Sequence, residues 1–121
     1  MLQHQLIDDE SILVIEPHGP LSSDDFKALA AEVDPSIERH GRLQGLMIEA
    51  KAFPGWEDFS AMTAHLKFVR EHHRLIRRVA VVSDSPVLAL LPHLGNHFVV
   101  AEVRHFPHDE LAGALEWLRE P

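Results

Sequence analysis

The feature that most constrains this chain is an alternation. Short apolar runs take turns with longer amphipathic stretches from residue 22 onward, after an opening pair of apolar runs separated by a polar turn. The opening pair, residues 2–7 and 12–16 around Asp8-Asp9-Glu10-Ser11, reads as a β-hairpin that Pro17, Gly19 and Pro20 bring to a stop. Ser22, three residues ahead of Asp25, has the spacing of a capping box, and Phe26, Leu29, Ala30, Val33 and Ile37 follow on one helical face. Pro35 is expected to break or bend that helix near Asp34, before Gly41 closes it.

Residues 43–49, centred on Leu46-Met47-Ile48, read as a buried strand, and residues 50–56 as a loop. A second helix over about 58–73 carries two stripes, Phe59, Met62, Leu66 and Val69 on one and Ala61 and Phe68 on the next. Val79-Ala80-Val81-Val82 is uninterrupted and largely β-branched, which predicts a central strand buried on both faces. Ser85 is then placed to cap a third helix with Pro86 at its first position, running to about residue 97. A last strand over 98–106 and a last helix over 109–119, with Leu111, Ala114, Leu115 and Leu118 inward, complete the order β-β-α-β-α-β-α-β-α. Such alternation implies right-handed crossovers and a mostly parallel sheet with one antiparallel edge: a single-domain α/β fold.

Composition narrows the function classes. A chain of 121 residues is of ordinary one-domain size. The absence of cysteine excludes disulfides, thiolate metal sites and a cysteine nucleophile, and is consistent with a cytoplasmic setting. The N-terminus lacks the basic and apolar regions of a secretion signal. A formal charge of −8 speaks against nucleic acid as a partner and against attraction to anionic lipid. Protonating all ten histidines would carry that charge to +2 (−8 + 10).

No nucleophile elbow, phosphate-binding loop, dinucleotide fingerprint or zincin motif is present, so no catalytic residue and no cofactor are assigned. His93 and His97 lie four apart on the third helix, and His65, His72 and His73 lie on the second, but no neighbour in sequence supplies a converging third ligand. No metal is expected.

Taken in order, Gly19-Pro20-Leu21-Ser22-Ser23-Asp24-Asp25-Phe26, Phe53-Pro54-Gly55-Trp56, Leu66-Lys67-Phe68, Val79-Ala80-Val81-Val82-Ser83-Asp84 and the tail from Ala101 to Leu118 resemble the SpoIIAA-like (STAS-related) family. The resemblance implies a STAS-like mixed sheet carrying helices, also compared with the lipid-binding CRAL-TRIO fold. It further implies a ligand-binding or membrane-associated regulator without established chemistry. Phosphorylated anti-anti-sigma factors carry an Asp-Ser-Ser-Gly-type turn. The corresponding loop here, residues 50–56, contains neither Ser nor Thr, so a phosphoserine switch at that place is not expected.

Ligands of open α/β sheets collect beyond the carboxyl ends of parallel strands. That edge receives the loop 50–56, with Lys51, Phe53 and Trp56, and the loop carrying Ser83 and Asp84. The third helix adds an oddity: residues 86–101 contain no Asp, Glu, Lys or Arg, and its leucines point around much of the circumference. Either Leu88, Leu91 and Gly95 face the sheet and the others are tolerated surface residues, or the outer side meets a second copy or a lipid surface. Pro92 would kink or break it. The expected function is therefore binding of a small apolar or amphipathic ligand, or of a membrane surface, by a non-enzymatic cytoplasmic domain, free or peripheral to the membrane. Phe53, Trp56, Phe68, Leu90, Leu91 and Leu94 would make apolar contact, and Lys51, Ser83 and Asp84 would orient polar groups. The competing expectation is a protein-interaction module or homodimer that uses the same patch.

Overall fold

The computed structural model describes residues 1–121. Its elements run β1 (Leu2–Ile7), β2 (Ile12–Pro17), α1 (Ser23–His40), β3 (Leu43–Glu49), α2 (Phe59–His72), β4 (Ile76–Val82), α3 (Leu91–Phe98), β5 (Glu102–Phe106) and α4 (Leu111–Arg119). One sheet has the order β1-β2-β3-β4-β5, with β1 antiparallel to β2 and every later pair parallel. The expected α/β architecture is the one observed.

Period-two alternation assigns the sheet residues to its two faces. Leu13, Ile15 and Leu46 join Phe26, Leu29, Val33 and Ile37 of α1 on one side. Ile12, Met47, Ala80 and Val82 meet Ala114, Trp117 and Leu118 of α4 on the other. Val81 and Val103 face Leu88 and the start of α3, on the α1 side. Gly45 is what lets α4 seat so closely: a Cβ there would lie 2.9 Å from Leu118 Cβ.

Several expectations are corrected by the packing. β4 is interior, as its apolar run requires, but the middle strand is β3, because the hairpin and β5 take the flanking positions. Val81 is fully buried and Val79 half-buried. Helix α1 runs through Pro35 to His40, held on both sides of the proline by buried Val33 and Ile37. The capping box at Ser22 and Asp25 forms, and Asp25 also accepts the Leu2 N–H at 3.2 Å, tying α1 to β1.

Helix α2 packs on α1 through the Ala61–Phe68 stripe, leaving Phe59 and Leu66 exposed. In the expected third helix, Ser85 Oγ accepts from Leu88 N–H and a 3₁₀ turn spans Leu88–Leu90. Pro92 then sits in the first turn of α3, where its missing N–H costs no helical bond. Residues 98–101 are not strand: Phe98 ends α3 and β5 starts at Glu102. In α4, Trp117 is buried while Leu111 is exposed.

Candidate functional site

The carboxyl ends of β2 and β3 and the chain that follows β4 surround a cleft of about 420 Å³. Of its 15 lining residues 12 are hydrophobic; the others are Pro17, Pro54 and His65. Leu2, Ile15, Leu21, Phe26 and Ile48 come from the core beneath, Phe53 and Trp56 from the loop after β3, and Val87, Leu88 and Leu91 from the segment leading into α3. The volume lies within the range of small-molecule pockets, which are mostly apolar with a few placed polar groups.

Local geometry holds the aromatic wall in place. Gly55 adopts φ +81°, a left-handed conformation that side-chain-bearing residues rarely take. The turn it makes lets Leu21 N–H donate to Gly55 O at 2.9 Å and Glu57 N–H donate to Leu21 O at 2.8 Å. Trp56 is thereby pinned beside the start of α1. Phe53 meets the Trp56 ring edge-on, with centroids 4.9 Å apart. Trp56 Nε1–H donates to His65 Nδ1 at 3.1 Å, and the His65 ring stacks on Phe26 at 4.7 Å. Burial pushes the His65 imidazole below its ordinary pKa, so it is neutral at pH 7.

Of the residues singled out in the sequence, Phe53, Trp56 and Leu91 come together in this cleft. Lys51 is exposed just beyond it, and its carbonyl accepts from the Ser83 hydroxyl. Ser83 is buried; its hydroxyl also accepts from Ser85 N–H, and its carbonyl accepts from His105 Nε2–H at 2.6 Å. The exposed Asp84 caps the next connection by accepting His108 N–H at 2.9 Å. These two polar residues bind the protein's own backbone and stand outside the cleft lining. Phe68 is also outside, stacked on His72 at 4.0 Å. Leu90 and Leu94 face outward and share an exposed i, i+4, i+8 row with Phe98.

Sequence reasoning missed His65 as part of the site, and also Val87, Leu88 and the core residues Leu2, Leu21, Phe26 and Ile48. In sequence His65 stands only as one of three histidines on the second helix, with His72 and His73. No group of three or more His, Cys, Asp or Glu side chains is arranged to hold a metal ion. No helix is long and apolar enough to cross a membrane.

Comparison with known proteins follows the same lines as the fold. The chain is similar to an uncharacterised protein of the DUF3478 family from Shewanella loihica PV-4, whose crystal structure has a SpoIIAA-like fold. The TM-score is 0.74 at 19% identity, over 98% of this chain and 92% of that one, a likeness of fold. No curated protein matches the chain. The SpoIIAA-like family model matches residues 12–119, nearly the full length, and the chain belongs to the SpoIIAA-like family.

Proposed function

We propose that this chain is a non-enzymatic binding domain that takes a small apolar or amphipathic ligand into the Phe53–Trp56–Leu91 cleft, with the outer face of α3 resting on a lipid surface. The observation that carries the reading is the cleft itself: an apolar lining at the carboxyl edge of the sheet, open at an aromatic wall. The adjoining surface supports the lipid contact. Val87, Leu90, Leu94, Phe98 and Val100 are all exposed, in a stretch of chain free of Asp, Glu, Lys and Arg. A monomer in water gains nothing from such a surface, whereas covering it releases apolar hydration. The same surface against a second protein is the competing use.

Tryptophan fluorescence tests the cleft. The protein has two tryptophans, and Trp117 is buried on the opposite face of the sheet. In a Trp117→Phe variant, Trp56 alone reports. Titration with 1-decanoylglycerol, an uncharged amphiphile, below its micellar concentration is expected to give a saturable shift of Trp56 emission. An emission that stays constant, or drifts without saturating, removes the ligand reading.

A further inference from the structure

The cleft lining carries one side-chain hydrogen-bonding atom that no residue of the protein engages. The lining prolines offer no side-chain donor or acceptor, and every hydrophobic lining residue except Trp56 is aliphatic or phenyl. That leaves the Trp56 indole N–H and the His65 imidazole, and these two are bonded to each other. An indole nitrogen can only donate, so His65 Nδ1 must accept, and the ring proton of the neutral imidazole is forced onto Nε2. No residue of the protein accepts from Nε2, and it is not a sealed buried atom either.

From this arrangement we infer that His65 Nε2–H is the polar reader of the cleft, selecting ligands that carry an uncharged oxygen acceptor, a ketone, ester or ether, on an apolar body. The inference rests on the ligand-binding reading given above and adds the chemistry of the ligand's head. A cationic amine is disfavoured because the lining side chains present no free acceptor. A carboxylate is disfavoured because the lining has no Lys or Arg to pair with it. The lowered pKa of His65 agrees, since a neutral ring keeps both the Trp56 bond and the single Nε2 donor.

The experiment uses 2-acetylnaphthalene and 2-ethylnaphthalene, near-isosteres that differ in the carbonyl oxygen. His65→Phe, made in a Trp56→Phe background so that no freed indole N–H replaces the lost donor, keeps an aromatic ring against Phe26 and removes both nitrogens. It is expected to weaken 2-acetylnaphthalene by about tenfold relative to 2-ethylnaphthalene, the scale of one net hydrogen bond. On the unaltered protein, the ¹⁵N shifts of the His65 ring are expected to be those of the Nε2–H tautomer, a readout independent of whether the variant folds. If both compounds bind and His65→Phe leaves their ratio unchanged, the inference fails while the cleft stands. An Nδ1–H tautomer overturns it equally. If neither compound binds the unaltered protein, the ligand reading fails and takes the inference with it.

Discussion

Replacing Leu90 and Leu94 together with glutamine isolates the outer face of α3. Glutamine is close to leucine in length and helix propensity, so the helix itself is little disturbed. Leu90 is 58% exposed and Leu94 59%. Fully burying a leucine side chain contributes about 1.5–3 kcal/mol, so each retains roughly 0.9–1.8 kcal/mol that only an external surface can recover. The pair therefore stands for about 2–3.5 kcal/mol of association energy, roughly thirty- to three-hundredfold in partitioning. Flotation with zwitterionic phosphatidylcholine vesicles measures this without interference from the protein's charge of −8. Circular dichroism and urea unfolding check the fold, which should change by no more than about 0.5 kcal/mol for exposed positions. A folded double variant that floats like the parent refutes the lipid-facing role of this row. If flotation is unchanged but sedimentation shows a parental dimer turning to monomer, the row is a contact between copies.

Two further outcomes are expected. Gly45→Ala places a methyl against Leu118, with Cβ 2.9 Å from the leucine's Cβ and Cδ2, so α4 must shift; a loss of about 1–3 kcal/mol in urea unfolding is expected, and a neutral or stabilising result would mean α4 is loosely seated. For His65, burial lowers the folded pKa below the ordinary 6.5, with no charged group acting on it, so the unfolded chain binds its proton first. The stability it contributes is complete above about 6.5 and is lost as pH falls from there towards the folded pKa. The difference in melting temperature between the parent and His65→Phe should thus shrink or reverse on acidification, and a difference independent of pH would contradict this.

What the sequence made legible was governed by local physics. The run Val79-Ala80-Val81-Val82 can only sit comfortably between two layers, and it does. Ser22 with Asp25, and Ser85 ahead of Leu88, announce helix starts through short-range bonds that need no tertiary information. Phe53 and Trp56 are legible at the carboxyl edge of the sheet because strand direction alone determines where loops gather, whereas Leu91 stands out only through the charge-free stretch that carries it. The failures share a cause. Which stripe of α2 faces inward depends on its resting on α1, where Ala64 and Phe68 pack against the core, and no count of apolar residues reveals that support. Pro35 is accommodated because the buried residues on either side outweigh one lost backbone bond. The Trp56–His65 bond joins a loop to a helix across nine residues, and Gly55 must turn the chain before the two can meet. Ser83 and Asp84 stand outside the cleft lining because each bonds the backbone of a neighbouring connection, a tertiary pairing that the local sequence does not announce.

Chemical-shift mapping decides whether the cleft beside Trp56 is a binding site. The uniformly ¹⁵N-labelled protein is titrated with 1-decanoylglycerol and each backbone amide is followed. Saturable shifts, fitting one dissociation constant, are expected at Ile48, Phe53, Trp56, Val87 and Leu91 and at the His65 ring, while amides around Ala114 and Trp117 on the far face of the sheet stay in place. Shifts absent from the cleft, or concentrated on the α4 face, would contradict it.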